Sequence, residues 1–300
     1  MRFDRKKSLL SALCVGAVGI AGVNDTQAAL VVNYSFEETT PSTFVDSVGG
    51  ESNGATSGGV QFDVPGVSGS GIRHDGVDDN IQAGPNSSEF KRTGDFTLTM
   101  WVNLENQSAD TLDRIITTSN FNGSFNDNGS GWRLIVNDVG GDTNRVALQA
   151  ASSSSGRKTF ASAFTDVRGL QADGWNLVVL RWDEGANAEL TVLYDTDLNS
   201  NTLDATFVDS NSATRDISGL DPLNYGGGAI PRIGSNQSAS ANLLPAAFDE
   251  IAFYDTVLTD AEIASIYTTI IPEPSSLVLL AIGAGLVTAR RRKDAAQPSA

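Results

Sequence analysis

The chain has 300 residues, with 36 acidic side chains against 20 basic ones and a formal net charge of −16. A single cysteine (Cys14) and a single histidine (His74) exclude a disulfide framework, a cysteine metal centre and a histidine-rich zinc site. So acidic a surface repels nucleic acid and anionic membranes, and it suits a soluble exported protein and bound divalent cations.

Residues 1–28 read as a secretory signal peptide. Arg2, Arg5, Lys6 and Lys7 form a positive start, and Leu9 to Val23 is an apolar run shorter than the ~20 residues of a membrane span. Thr26 and Ala28 then place small side chains at the −3 and −1 positions of a cleavage site, so the mature chain is expected to start at Ala29. Cys14 follows the bulky Leu13 inside the apolar run, which does not suit lipid attachment. The two end segments carry four acidic and eight basic residues, so the remainder has a net charge of about −20.

The central region, 29–270, shows strand signals throughout. Leu30–Phe36 opens it. Phe96, Leu98, Met100, Val102 and Leu104 alternate with Thr97, Thr99, Trp101 and Asn103, the period of a strand with one buried face. Further strands are expected at Asp113–Thr118, Trp132–Asn137, Arg145–Ala150, Thr159–Phe164, Trp175–Trp182, Glu189–Tyr194, Ala205–Val208, Ala229–Ile233 and Ala246–Tyr254. Turn-rich stretches such as 122–131 and 225–228 separate them. Ten or more short strands without a dividing linker predict an all-β, two-sheet jelly-roll sandwich. One helix is expected near its C-terminal end. Thr259 and Glu262 have the spacing of a capping box, Leu258 and Ile263 that of a hydrophobic staple, and Ile263, Ile266 and Tyr267 form an apolar stripe.

The C-terminus has three parts in order. Pro272-Glu273-Pro274-Ser275 is followed by an apolar run from Leu277 to Ala289, and then by Arg290, Arg291, Arg292 and Lys293. The run is short for a stable span and suits transient anchoring, with the basic cluster and residues 294–300 on the cytoplasmic side. Residues 271–293 resemble the PEP-CTERM sorting signal of bacteria that carry an exosortase. The resemblance implies recognition in the inner membrane by exosortase-type machinery, cleavage near the motif, and delivery to the cell surface or extracellular matrix.

A second resemblance covers nearly all of 29–270. Tyr34-Ser35-Phe36-Glu37 with Asp46 to Gly50, the turn within 71–81, Phe96–Val102, Gly174–Val179, Pro231–Gly234 and Phe248–Ile263 occur in the order found in LamG-like, concanavalin A-type jelly-roll domains. Two departures stand out: His74 occupies a place where an aromatic or apolar residue is usual, and Glu189–Tyr194 lacks the glycine turn that often follows the family's aspartate. Residues 195–228 are the least family-like and are expected to form longer loops.

The resemblance implies a structural calcium site where the two ends of the domain meet, which makes Glu37, Asp46 and Asp249 the candidate ligands. Calcium takes several hard oxygen donors, and carboxylates supply them. The competing expectation is that Asp46 caps a turn and Asp249 pairs across strands. Asp75, Asp78 and Asp79 crowd a glycine turn, where turn chemistry is the favoured explanation. Asp195-Thr196-Asp197-Leu198-Asn199 is similar to half an EF-hand loop, but Ser200 and Thr206 stand where Gly and Glu are required. Trp101, Trp132, Trp175 and Trp182 are candidates for stacking on sugars, with a core role favoured for all four.

No catalytic residue is assigned. No carboxylate pair with glycosidase spacing is visible, and the neighbours Asp249 and Glu250 are expected on opposite faces of a strand. His74 has no nucleophile elbow to serve. The expected function is that of a non-enzymatic surface or matrix protein that binds extracellular polysaccharide or a surface protein. A structural biofilm protein ranks behind this, and a glycan-active enzyme last.

Overall fold

The computed structural model describes residues 28–39, 42–49, 52–84, 89–105, 113–118, 131–139, 142–152, 156–159, 170, 174–194, 211–218, 225, 230–236 and 241–270. Six short strands come first: β1 (Leu30–Tyr34), β2 (Thr43–Phe44), β3 (Gly54–Ser57), β4 (Gln61–Pro65), β5 (Ser70–His74) and β6 (Asn80–Gln82). A 3-10 turn at Glu89–Lys91 precedes β7 (Phe96–Leu104), β8 (Asp113–Thr117), β9 (Gly131–Val139), β10 (Asp142–Ser152) and β11 (Gly156–Thr159). β12 (Trp175–Asp183), β13 (Asn187–Tyr194), β14 (Asn211–Asp216), β15 (Arg232–Ile233) and β16 (Ala246–Tyr254) follow, and the helix α1 (Asp260–Ile270) ends the described chain.

The strands form two eight-stranded antiparallel sheets, the jelly-roll sandwich expected from the sequence. The first runs β14-β13-β12-β7-β16-β5-β4, with β1 also paired to β16. The second runs β11-β10-β9-β8-β15-β6-β3-β2. Between them lies one apolar core in which Phe96 stacks against Trp132, Trp182 and Phe253 at centroid distances of 5.7, 5.9 and 5.0 Å. Each such side chain contributes ~1.5–3 kcal/mol by leaving water.

The alternation expected in β7 is present, yet both of its faces are covered. Phe96, Leu98, Met100, Val102 and Leu104 enter the core. Trp101 points the other way, into a second apolar cluster beneath α1 with Leu177, Val179, Leu258, Ile263 and Tyr267. Its ring stacks on that of Tyr267 at 5.3 Å. The capping box holds this helix in place: Thr259 N donates to Glu262 Oε2 (2.7 Å) and Glu262 N to Thr259 Oγ1 (3.3 Å). Arg181 ties the helix start to the sheet through Asp260 at 2.7 Å.

Several short strands escape the periodicity of the sequence. β2 to β6 have only two to five residues each, too few for a pattern to declare itself. β14 forms inside the stretch expected to be loops, pairing with β13 from Asn187↔Asp216 to Val192↔Asn211. β12 and β13 are joined by a tight turn at Gly185 (φ +76°), while the position after Tyr194, where the family's glycine turn is usual, lies outside the described residues. The strand expected at 205–208 and residues 160–164 lie outside the described residues, as do both end segments.

Candidate functional site

β16 is paired with β7 along one side and changes partner along the other. Ala246 to Phe248 pair with β5, and Ile251 to Tyr254 pair with β1. At the change the register slips between Asp249 and Ala252, and Glu250 adopts φ +45°. A bulge of this kind adds a residue and breaks the alternation of side chains. Phe248 and Ile251 both point into the core, so Asp249 and Glu250 both stand on the outer face. The expectation that these neighbours would face opposite ways is therefore corrected, because the period of two fails where the strand bulges.

The loop 66–70 fills the gap between β5 and β1, and two of the expected ligands meet it. Asp249 is fully buried. Its Oδ2 accepts from Val67 N (2.8 Å) and Ser68 N (3.1 Å), and its Oδ1 accepts from Glu250 N (2.8 Å). Glu37 Oε1 accepts from Ser70 N at 3.1 Å. A Cβ on Gly69 (φ +63°) would lie 2.2 Å from Glu37 Oε1, and one on Gly66 would lie 2.5 Å from Asp249 Oδ2. The loop approaches this closely only because both positions are glycine.

Burial dominates the electrostatics here. It pushes the Asp249 carboxyl up to about 7, against the opposing effect of its N–H donors and with help from the Glu250 charge. Glu250 is raised as well, by burial first and then by Glu37. Glu37 is exposed, Asp249 buried and Glu250 half-buried, and among the described residues their ligand atoms do not all lie within 4.8 Å of one another.

Asp46 is used differently. Its Oδ1 accepts from Asn33 N (3.1 Å) and Val48 N (3.0 Å), which makes it the cap of the turn after β2. Among the described residues, Glu37, Asp46 and Asp249 do not form a set of ligand atoms within 4.8 Å of one another; His74, Asp75 and Asp79 do.

That second set is tied up in turn hydrogen bonds. Asp79 accepts from Gly59 N (2.5 Å) and Asp75 N (2.7 Å), Asp75 from Val77 N (2.8 Å), and His74 Nδ1 from Gly76 N (3.1 Å). His74 is enclosed, and burial lowers its pKa, so the ring is neutral. A Cβ on Gly234 would lie 2.8 Å from its Cδ2. The flat imidazole occupies the aromatic place expected there, out of a substrate's reach.

Trp101, Trp132 and Trp182 are buried and Trp175 packs against the outer cluster, so all four serve as scaffold. The stretch at Asp195 and the sorting residues Pro272, Glu273, Pro274, Arg290, Arg291 and Arg292 lie outside the described residues. Among the described residues no helix is long and apolar enough to cross a membrane.

A cleft of about 240 Å³ opens between α1 and β16, lined by Asn33, Glu250, Tyr254, Ile266 and Ile270. Periodicity gave no sign of it, because it depends on how the helix lies across the bulge.

Comparison with known proteins agrees with this fold. The chain matches the concanavalin A-like lectin/glucanases superfamily over residues 75–264 and the PEP-CTERM protein-sorting motif over 271–293. The fold is similar to the binding domain of Paraclostridial Mosquitocidal Protein 1, at 15% identity and TM-score 0.52, covering 80% of this chain and 52% of that one. It is also similar to the receptor binding domain of botulinum neurotoxin C/D mosaic serotype, at 12% identity and TM-score 0.55, covering 79% and 50%. The binding domain of botulinum neurotoxin serotype D gives 12% identity and TM-score 0.53, covering 80% and 51%. The chain thus spans about half the length of these structures, and at such identities the likeness is one of fold. No curated protein matches the sequence. With two antiparallel sheets packed over a single core and a family match across 75–264, the chain belongs to the concanavalin A-like lectin/glucanases superfamily and carries a C-terminal PEP-CTERM sorting motif.

Proposed function

We propose that the protein is brought to the cell surface or extracellular matrix by exosortase-type machinery and there binds a polysaccharide or a surface protein without turning it over. The observation that carries this reading is the union in one chain of a concanavalin A-like sandwich and a PEP-CTERM motif. The apolar segment after Pro274 serves as a transient inner-membrane anchor. A binding role, as against a catalytic one, is supported by the buried state of His74 and by the three backbone N–H groups that hold Asp249. The similar toxin domains are described as binding domains, which is in keeping with a binding role.

Calcium is part of the proposal. Glu37 and Asp249, which both accept from the loop 66–70, would supply its first two carboxylates. The ion would neutralise the crowded charges and pin β1, β16 and the loop 66–70 together.

The test is a glycan-array screen of the mature exported protein in calcium and in EDTA. Reproducible binding to a glycan class, lost in EDTA, supports the reading. Folded protein that binds no glycan in either condition overturns the polysaccharide arm and leaves a protein partner.

A further inference from the structure

The second sheet carries a row of polar side chains on its outer face. The cross-strand register reads Gln149↔Arg133, Arg133↔Thr117, Thr117↔Arg232 and Arg232↔Gln82, one residue from each of β10, β9, β8, β15 and β6. Their sequence neighbours Leu134, Leu148, Ile116, Ile233 and Ile81 fill the core, so the row faces outward. Adjacent positions are about 4.8 Å apart. The row is closed at one end, where Gln149, Arg133 and Thr117 are 1%, 2% and 2% exposed. At the other end, Arg232, Gln82 and Asn80 are only half-buried.

Arg232 differs from the arginines that hold carboxylates. Arg73 pairs with Glu105, Arg92 with Glu89, and Arg181 with Glu189 and Asp260. Arg232 donates from Nη1 to the uncharged amide oxygen of Asn80, and its Nε is buried with no acceptor. No carboxylate lies within 4.0 Å of it among the described residues. Burial lowers its pKa with no carboxylate to oppose the shift, yet an arginine stays charged at any physiological pH. A guanidinium Nε withdrawn from water without an acceptor is costly, and an anion whose paired oxygens meet the fork removes that cost. In a chain of net charge −16, an arginine fork framed by amides, with no carboxylate partner among the described residues, is a selective feature. Repulsion between a ligand and acidic side chains elsewhere on the surface is screened beyond ~8 Å at physiological salt.

We propose that Arg232, with Asn80 and Gln82 beside it, is the contact point for an anionic sugar unit, a carboxylate or sulfate carried by an extracellular polysaccharide. The guanidinium takes the anion, and the two amides take neighbouring hydroxyl groups of the same chain. This rests on the binding role proposed above and narrows its ligand to acidic glycans.

Titration calorimetry of the mature exported protein with three probes tests it: a galacturonate trisaccharide, a sulfated oligosaccharide and a neutral glucose trisaccharide. Binding of either anionic probe and not of the neutral one is expected, and the stronger of the two identifies the group. Arg232→Gln should weaken that binding at least tenfold without lowering the melting temperature. Arg232→Lys should retain part of it, because the charge stays and the fork is lost. Arg73→Gln should leave it unchanged. Equal binding by Arg232→Gln and the parent overturns the inference. Binding of the neutral probe alone also overturns it and leaves the general glycan reading standing. No binding of any probe, in calcium or EDTA, overturns the inference and leaves the general glycan reading to the array.

Discussion

Asp249 and Glu250 are neighbours in sequence and stand on the same face of β16, because the strand bulges at Glu250 where it leaves β5 and takes up β1. Topology thereby brings Glu37 and Asp249 to one loop, within reach of the Glu250 charge. Two consequences can be measured there.

The first is a pH dependence of stability without calcium. The Asp249 carboxyl is raised from the ordinary 3.8 to about 7 in the folded chain. Between those values the folded state holds a proton that the unfolded state has released, so this group's contribution is complete below pH 3.8 and is lost as pH rises through about 7. Denaturation in EDTA should therefore show stability falling across that window. Asp249→Asn should flatten the profile, and calcium should restore the parent at pH 8. A parent profile that rises across the window would contradict the assignment.

The second concerns the loop itself. Gly69→Ala must adopt φ +63° and push aside the Glu37 carboxylate. A loss of ~1–3 kcal/mol is expected from backbone strain, read as a lower urea midpoint, together with weakened calcium binding. An unchanged midpoint would show that the loop does not press on Glu37.

The outer cluster is predicted to be as important to stability as a core. Trp101 is fully buried between β7 and the helix and stacks on Tyr267. Trp101→Ala should cost ~3–5 kcal/mol, and Trp175→Ala, at a half-buried position, clearly less. Chemical denaturation of the two variants side by side decides this, and equal losses would refute it.

Removing the capping box should be milder. Thr259→Ala takes away the cap of α1 and should cost ~1 kcal/mol. Amide exchange should quicken in the first turn of the helix while β7 and β16 stay protected. Global loss of protection would mean that the helix and sheet unfold as one unit.

The expected N-terminal processing can be tested at Asp255. Ala29 N lies 3.0 Å from Asp255 Oδ1, and Asp255 N donates back to Ala29 O at 3.1 Å. Were the chain cleaved after Ala28, as the signal-peptide reading expects, that amide would become a charged ammonium beside the carboxylate. Asp255→Asn should destabilise the processed protein by up to ~1 kcal/mol, less at high salt, and should have a smaller effect on a chain extended beyond Ala29. Equal effects on both forms would argue against the ion pair.

The sequence by itself determined those features that depend on local pattern. The alternation of β7 from Phe96 to Leu104, the Thr259–Glu262 cap and the tripartite signal at 271–293 each lie within a few residues of chain, and the structure and the family matches bear them out. Tertiary structure alone decided the rest, because it depends on which strands become neighbours. The bulge at Glu250 follows from β16 changing partners. Asp46 caps a turn instead of joining Glu37 because Asn33 and Val48 present their N–H groups to it. Nothing local to Arg232, Gln82 or Arg133 foretells that they share one row; they are far apart in sequence, and only the register of the second sheet lines them up.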